Sequence, residues 1–496
     1  MDKKKAIIIG SGVGGLAIAI RLAIAGFAVK VFEKNINPGG KLSAFKIKGY
    51  SFDSGPSLFT QPQNIEELFI LAKEPIAEYF SYRQVPVACK YFYENGKIVE
   101  AHSNPELFAQ ELKTQLNEDP DKIIAYLKRS EKTYNNIGKI FLDNSLHKSK
   151  TWLSKTAFLA FKAFRFGFIF TSLNKHNNKN LSSPEAVQLF NRFATYNGSN
   201  PYKAPAMLSL IPHLEQNEGT FFPDGGMISI TNALYKLALK LDVHFSFDSP
   251  VQRIINNEGQ ALGVVVNNEN FLADVVVSNA DVYFTYKNLL KDAIHAKKIL
   301  KQERSSSAII FYWGVKKEFP VLQLHNIFFS KDYKLEFENI FHKKSLTNDP
   351  TIYINITSKL EKDQSPRETE NWFVMVNAPA NTGQDWPKLK AKLRVDVINK
   401  LNRILDVDME LLIETEHILD PVSIEDQTAS YMGSLYGTSS NSKLAAFFRP
   451  PNFTNSIKGL YFCGGSVHPG GGIPLCLKSA KIVAGLIMND LKKNSH

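Results

Sequence analysis

The first thirty residues follow an apolar and glycine pattern that predicts a strand, a turn, a helix and a second strand. Residues 6–9 are a continuous apolar run, which is typical of a parallel strand buried on both faces. Residues 16–26 predict a helix, and residues 28–32 predict the second strand. The turn before the helix is rich in glycine. The pattern therefore indicates a β-α-β unit at the start of the chain.

Two later parts of the chain carry comparable buried strands. The C-terminal part predicts a strand that enters a glycine-rich segment and then a closing helix, and the middle part predicts a helix followed by several strands. The predicted elements are the strand 458–463 and helix 475–491, then the helix ending at 241, the strands 243–247 and 273–281, and strand-rich residues 261–272.

We therefore expect an α/β fold in which one Rossmann-like domain is assembled from three separated segments, 1–78, 220–281 and 442–496. Residues 79–219 and 282–441 lie between these segments and are expected to form an inserted α+β substrate domain.

Composition supports two folded domains and limits the classes of binding partner. The 496 residues are 44% hydrophobic, and three scattered cysteines match neither a disulfide framework nor a zinc site, which favours a reducing cytoplasm and predicts no bound metal. The net charge of +11 favours an anionic partner, either nucleic acid or a membrane surface. We prefer the membrane because no nucleic-acid-binding motif is present. No stretch predicts a spanning helix, so we expect peripheral attachment to the inner face.

The N-terminal turn has the spacing of a dinucleotide-binding motif. Gly10 permits the tight bend, Gly12 lets the backbone approach a diphosphate, and Gly15 lets the helix pack closely on the strand. Glu33 follows Gly10 by 23 residues, close to the interval of the acid that holds an adenosine ribose. A solvated glutamate is the alternative for Glu33, but the complete order of elements predicts dinucleotide binding.

Two further glycine segments favour FAD over NAD. Gly39, Gly40 and Lys41 fit a chain that passes close to a flavin and its diphosphate, although an ordinary hairpin turn is the alternative. Asp53, a little further on, could merely cap a turn. Residues 464–472 contain five glycines, which packing alone does not explain because each costs unfolded-state entropy. Backbone pressed against a flat cofactor, with a helix start aimed at it, explains them.

These motifs together resemble the bacterial carotenoid (phytoene-type) desaturase family, within the larger flavin amine oxidase superfamily. The resemblance covers essentially the whole chain and is most specific in the His-Pro-Gly-Gly-Gly-Ile-Pro run at 468–474. Within the family, residues 195–199 and 463–472 look most like the 1-hydroxycarotenoid 3,4-desaturases. The superfamily usually has an acid after the last strand, whereas Gly464 and Gly465 stand here, a departure that carotenoid desaturases share.

The resemblance implies a Rossmann-like FAD-binding domain of the GR2/amine-oxidase type, FAD as cofactor, and a hydrophobic isoprenoid or carotenoid substrate. It implies cofactor contacts at Gly10, Gly12, Gly14, Gly15, Glu33, Lys34, Gly39, Gly40, Lys41, Ser54, Gly55, Pro56, Val251, Gly464, Gly465, Gly472, Ile473 and Pro474.

The substrate domain is expected to hold an apolar tunnel. Residues 307–315, which contain Phe311, Tyr312 and Trp313, and residues 327–330 predict strands. Aromatic strands are commonly plain core, although a polyene tunnel needs such a lining. Residues 151–173 predict an amphipathic helix with an apolar face rimmed by cations, which could lie in a membrane interface or be a core helix.

The expected reaction is removal of a hydride to the flavin and of a proton from the neighbouring carbon, with oxygen or a membrane quinone as electron acceptor. Either a side-chain base or water takes the proton; the side-chain candidates are His468, Arg449, Tyr196 and Asn197, with structural roles as the alternative for His468 and Arg449. A phytoene- or lycopene-type desaturase, a carotenoid isomerase and a monoamine-type oxidase are competing functions. A non-catalytic prenyl-lipid escort is the alternative from another class, but it predicts a degraded nucleotide turn.

Overall fold

The computed structural model describes residues 3–153, 167–299, 301–442 and 449–493. Its strands in these ranges are β1 Lys5–Ile9, β2 Ala28–Phe32, β3 Ala44–Ile47, β4 Tyr50–Asp53, β5 Tyr82–Gln84, β6 Val87–Phe92, β7 Ile98–His102, β8 Phe221–Pro223, β9 His244–Ser246, β10 Val251–Asn257, β11 Gln260–Val266, β12 Glu269–Leu272, β13 Val275–Ser278, β14 Ser307–Val315, β15 His325–Phe328, β16 Ile352–Ile356, β17 Glu370–Ala378, β18 Ile413–Leu419 and β19 Leu460–Phe462.

The longer helices are α1 Val13–Ile24, α2 Gln63–Ala72, α3 Pro105–Leu116, α4 Pro120–Thr133, α5 Leu173–Asn180, α6 Pro184–Asn191, α7 Ile228–Lys240, α8 Trp386–Leu405, α9 Pro421–Thr428 and α10 Ile473–Lys493. Shorter α-helical turns lie at Lys139–Asp143, Ser149–Trp152, Gly167–Phe170, Val282–Phe284, Ala293–Ile299, Tyr333–Glu338 and Met409–Leu412. The turns Arg192–Asn197 and His213–Asn217 are a 3-10 helix and a π-helix, respectively.

A five-stranded parallel sheet of order β19-β13-β1-β2-β9 forms the centre of the first domain. Its strands come from the start, the middle and the end of the chain, which confirms the expected Rossmann-like domain built from three segments. Helix α1 begins at Val13, three residues earlier than predicted, because Gly14 and Gly15 already belong to its first turn.

Both faces of this sheet are covered. Ile8 and Val277 pack toward α1, α7 and α10, whereas Ile7 and Val276 pack toward the antiparallel sheet β10-β11-β12. Successive residues of one strand thus enter two different cores, which is why the sequence reads as a continuous apolar run instead of an alternation.

The second domain is built on a seven-stranded sheet of order β18-β14-β17-β16-β15-β6-β7. The predicted strand at 307–315 is confirmed as β14. Phe311 and Trp313 pack with α8 in the core, while Tyr312 points to the opposite face. Strand β15 ends at Phe328 and not at Ser330, because Ser330 N donates to the side chain of Thr351 (3.1 Å).

Residues 154–166, which include most of the predicted amphipathic helix, lie outside the described residues. On either side of that range, Trp152, Leu153 and Phe170 are solvent-exposed apolar side chains. In the ranges that are described, no helix combines the length and the apolar character needed to cross a bilayer.

Candidate active site

The glycine turn after β1 is packed too tightly for a side chain at Gly15. Gly10 has a φ of +92°, and a Cβ on Gly15 would lie 2.0 Å from the Gly10 carbonyl oxygen. The start of α1 is therefore pressed against the end of β1, and its first backbone N–H groups open toward the space above the sheet. This is the geometry that binds a diphosphate at a helix N-terminus.

Asn279 lies across this turn and was not identified as a site residue from the sequence. It follows β13, the strand next to β1, and its amide side chain would be 3.0 Å from a Cβ on Gly12 and 2.7 Å from a Cβ on Gly14 or Gly464. The side chain is partly exposed and makes no hydrogen bond to any residue in the described ranges. It therefore offers a free donor and a free acceptor beside the turn.

Glu33 is buried at the end of β2, where its carboxylate closes the other side of the turn. Its Oε2 accepts hydrogen bonds from Ser11 N (2.7 Å) and Ser11 Oγ (2.9 Å), and its Oε1 accepts from Asn35 N (3.0 Å). These bonds fix a carboxylate whose remaining lone pairs can accept from ribose hydroxyls. Ser249 N donates to the Glu33 carbonyl (2.8 Å), which places Val251 nearby at the start of β10.

Lys34 points elsewhere. Its Nζ donates to the carbonyl of Asp426 in α9 (2.7 Å), at the surface, so the side chain joins the two domains. Burial lowers the pKa of Lys34, with Glu33 and Asp426 acting in the opposite direction.

The Gly39–Gly40–Lys41 segment lies against the glycine turn. Gly39 N donates to the Ser11 carbonyl (3.0 Å), and Gly12 and Gly39 form a parallel bridge. Lys41 Nζ donates to the Leu435 carbonyl (3.1 Å). Burial lowers the pKa of Lys41, while Asp281 and Cys476 act to raise it. The partly buried lysine thus connects the 39–41 segment to the loop that contains Leu435.

The 53–56 segment is held against Lys41 and the middle of the chain. A Cβ on Gly55 would lie 1.9 Å from the Lys41 carbonyl, and Ser54 Oγ lies 2.6 Å from Ser43 Oγ. Asp53 accepts from Met227 N (2.9 Å) and Ile228 N (3.1 Å) at the start of α7, so it caps a helix far away in sequence and not a local turn. Burial raises the pKa of Asp53 to about 6. Pro56 follows, partly exposed, in the same loop.

The C-terminal glycine segment meets the N-terminal turn directly. Cys463 Sγ donates to the Gly14 carbonyl (3.4 Å), and a Cβ on Gly14 would lie 3.2 Å from Gly464 Cα. Gly465 packs against Gly471, and Gly472, Ile473 and Pro474 lead into α10. Backbone from the two ends of the chain is therefore in direct contact at this place.

Arg449 is a buried cation beside this segment. Its Nη1 donates to the Tyr436 carbonyl (2.9 Å), and its guanidinium would touch a Cβ on Gly470 at 3.1 Å. Its Nη2 is buried and unpartnered, and neither Arg449 nor Lys41 forms an ion pair with a residue that the structure describes. Burial lowers the pKa of Arg449 to about 10. A buried, unpaired guanidinium suits an anionic or carbonyl-rich ligand.

Tyr436 was also not identified from the sequence. Its ring would contact a Cβ on Gly471 at 2.7 Å and a Cβ on Gly198 at 2.9 Å, so it joins the C-terminal glycines to the motif at 195–199. Burial raises the pKa of Tyr436 to about 12. Asn197 is partly exposed beside it, and its carbonyl accepts from Ser199 Oγ (3.1 Å).

His468 is buried within a packed loop. Its Nε2 donates to the Asn144 carbonyl (2.9 Å), its own carbonyl accepts from Asn452 Nδ2 (2.7 Å), and its ring lies edge-on to His147. Burial lowers the pKa of His468 to about 4. These contacts describe a neutral histidine that holds the glycine segment in place.

The residues of this site fit FAD. The turn and Asn279 can hold the diphosphate, Glu33 can hold the ribose, and the unpaired Arg449 and Lys41 can face the negatively charged and carbonyl groups of the cofactor. At Gly15, Gly39 and Gly55 a side chain would collide with backbone, so glycine allows the close packing around the site that a flat ring requires.

Comparison with known proteins agrees with this geometry. The profile of the flavin containing amine oxidoreductase family matches residues 13–488. The chain is 49% identical to a 1-hydroxycarotenoid 3,4-desaturase of Flavobacterium sp., over 98% of this chain and 99% of that protein. It is 32% identical to a 4,4'-diapolycopene oxygenase of Methylomonas sp, over 99% of each chain.

Solved structures share the fold at low sequence identity. Putrescine oxidase bound to putrescine aligns with a TM-score of 0.63 at 13% identity, over 98% of this chain and 99% of that chain. Cyclohexylamine oxidase from Brevibacterium oxydans aligns with a TM-score of 0.61 at 13% identity, over 99% of this chain and all of that chain.

Proposed function

Because this chain belongs to the flavin containing amine oxidoreductase family, we propose that it is an FAD-dependent carotenoid desaturase. It introduces a carbon–carbon double bond into an acyclic, 1-hydroxylated carotenoid during carotenoid biosynthesis. The observation that carries this substrate class is the 49% identity, over nearly the full length of both chains, to a 1-hydroxycarotenoid 3,4-desaturase. The intact nucleotide turn supports an enzyme and not an escort protein.

The side chains of the site bind and orient more than they transfer protons. FAD, when bound, supplies the hydride acceptor. Arg449 and Lys41 place positive charge beside the cofactor space, which favours negative charge there. His468 stays neutral above a pH of about 4 and keeps the glycine loop in position. Tyr196 and Asn197 remain candidate groups for contact with the substrate.

Product analysis tests the proposal. FAD-loaded protein is incubated with a 1-hydroxylated acyclic carotenoid in lipid vesicles, and the pigment is examined by absorption and mass spectrometry. A desaturase gives a longer chromophore and a product that has lost two hydrogens. A gain of one oxygen would indicate an oxygenase, the second candidate raised by the 32% identical relatives. An unchanged mass with altered geometry would indicate an isomerase.

Turnover in air, compared with turnover under argon with an added quinone, separates oxygen from a quinone as the electron acceptor.

We also propose that the protein binds a membrane surface through the exposed apolar side chains Trp152, Leu153 and Phe170. Leu153 is 86% exposed and Phe170 63% exposed, and the net charge of the chain is +11. Exposed apolar side chains on a basic protein favour an anionic lipid interface. Leu153→Ser should weaken co-sedimentation with phosphatidylglycerol vesicles, whereas Leu411→Ser, at another exposed leucine, should not. Equal binding of both variants would contradict this placement.

A further inference from the structure

A buried ion pair lies in the helical layer of the substrate domain, between the turns Arg192–Asn197 and His213–Asn217. Arg192 Nη2 lies 3.0 Å from both carboxylate oxygens of Glu215, and Tyr196 Oη donates to the same carboxylate. Gln216 Nε2 also donates to Glu215 (3.2 Å). Only 8% of Arg192 and 1% of Glu215 are exposed. We refer to Arg192, Tyr196, Glu215, Gln216 and Tyr91, whose ring faces Arg192 at 5.3 Å, as the Arg192 cluster.

The cluster contains more hydrogen-bonding groups than it uses. Arg192 Nε, Gln216 Oε1 and Tyr91 Oη are buried without a hydrogen-bond partner in the described part of the chain. A buried polar group without a partner costs about 1–3 kcal/mol, and native proteins keep few of them. Three such atoms around one ion pair, donors and an acceptor together, indicate a place for a small polar ligand group.

The cluster adjoins the cofactor site at two points. Tyr196, its partly exposed member, lies two residues before Gly198, which packs against Tyr436. The Tyr436 ring in turn packs against Gly471 of the C-terminal glycine segment. On the sheet side, His325 Nδ1 lies 2.8 Å from Tyr353 Oη, which lies 2.7 Å from Ser57 Oγ, directly after Pro56.

Buried polar atoms also lie on the seven-stranded sheet, at His325 in β15. His325 Nε2 is buried and unpartnered in the described ranges, and burial with the nearby charge of Arg192 lowers the pKa of His325 to about 3. The polar surface therefore runs from the Arg192 cluster toward both segments that are expected to flank the flavin.

A hydrocarbon without polar groups cannot form hydrogen bonds with such a surface. Removing an ion pair from water costs several kcal/mol per ion, and an alkene repays none of that cost. A hydroxyl group is neutral and small, and it both donates and accepts, which matches the free atoms of the cluster. A hydroxyl on C1 of an acyclic carotenoid is also only a few bonds from C3 and C4, so binding it would set which bond faces the flavin.

We propose that the Arg192 cluster binds the terminal hydroxyl group of the carotenoid and thereby selects 1-hydroxylated substrates and positions the 3,4 bond. This inference rests on the proposed desaturase function. Tyr196 makes the contact with the substrate, since it is the most exposed member of the cluster, while Arg192 and Glu215 hold its hydroxyl in place.

The test compares kcat/KM for a 1-hydroxylated acyclic carotenoid with that for the same polyene without the hydroxyl. Wild type should favour the hydroxylated substrate, and Tyr196→Phe should reduce the ratio about threefold to tenfold, the worth of one hydrogen bond. Tyr91→Phe, which removes an unpartnered hydroxyl without a change of shape, should also reduce it. Tyr126→Phe is the matched control: Tyr126 is equally buried in the same layer but bonds Asn177 (2.8 Å), so the ratio should not change.

The outcomes separate this inference from the proposed function. Wild type that converts both substrates equally, or an equal loss on both in Tyr196→Phe, would overturn the role of the Arg192 cluster and leave the desaturase intact. Wild type that binds FAD but converts neither substrate would overturn the desaturase itself.

Discussion

Two glycines in helices provide a direct test of the cofactor-binding turn. Gly15 lies in the first turn of α1, and Gly485 lies on the exposed side of α10. A Cβ at Gly15 would be 2.0 Å from the Gly10 carbonyl oxygen, whereas a Cβ at Gly485 would have nothing within 4 Å. The same Gly→Ala change therefore has opposite consequences at the two positions.

The sizes of the effects follow from these contacts. In an exposed helix, Gly→Ala gains about 0.8–1 kcal/mol because alanine loses less backbone entropy. Essentially no Cβ approaches another heavy atom closer than 3.0 Å, so Gly15→Ala must move the helix start and the strand end apart by about 1 Å. Overpacking of this kind costs about 1–3 kcal/mol or more, which exceeds the helical gain. It also displaces the N–H groups that we expect to bind the diphosphate.

The assay is flavin content per protein and the thermal midpoint of the apoprotein. Gly485→Ala should keep full flavin content and raise the midpoint by about 2 °C, and Gly15→Ala should lower the midpoint and lose most of its flavin. Gly14→Ala should lie between them, because its Cβ would first meet the movable Asn279 side chain at 2.7 Å. A Gly15→Ala protein with the flavin content and midpoint of Gly485→Ala would refute this account of the turn.

Three further predictions follow from charge and burial. The pKa of His468 falls from 6.5 to about 4 on folding, so the unfolded chain gains a proton first as the pH drops below 6.5. Between about pH 7 and pH 5, the unfolding free energy of wild type should therefore fall by about 2 kcal/mol more than that of His468→Gln, as measured by urea titration. Equal losses in the two proteins would contradict the buried neutral state. Arg449→Met should raise the thermal midpoint of the apoprotein, because an unpaired buried charge is removed, and should weaken FAD binding about tenfold or more in fluorescence titrations, while Arg403→Met at an exposed ion pair changes neither. Asn279→Asp should weaken FAD binding more than Asn279→Ala does, because it adds a negative charge beside the diphosphate; the reverse order would place the diphosphate elsewhere.

Much of the fold could be predicted from local sequence patterns. The second strand has the predicted bounds, Ala28–Phe32, and β14 has the predicted bounds, Ser307–Val315. Each is a largely apolar run with a charged residue directly after it, Glu33 or Lys316, so its signal lies within a few neighbouring positions. The glycine turns were equally visible, since their spacing is fixed by the backbone of a single loop.

Asn279 and Tyr436 carried no comparable signal. Asn279 acts on Gly12 and Gly14, more than 260 residues earlier, and Tyr436 packs on Gly198, more than 230 residues earlier. Their positions depend on which strands become neighbours, which no local pattern states. A weak signal existed for Asn279: it directly follows a buried parallel strand, and ligands bind at the carboxyl ends of such strands.

The arrangement of charges implies that FAD binding contributes to the stability of the folded protein. Arg449 is buried and Lys41 is partly buried, and within the described ranges each is held by a carbonyl contact without an ion pair, so the apoprotein bears the desolvation cost of two cations without anionic partners. An anionic cofactor removes that cost on binding. Each buried cation thus destabilises the empty protein and strengthens FAD binding by a related amount, so that FAD concentration sets the apparent stability. Variants that neutralise these cations should therefore show opposite changes in apoprotein stability and in the stabilisation gained from added FAD.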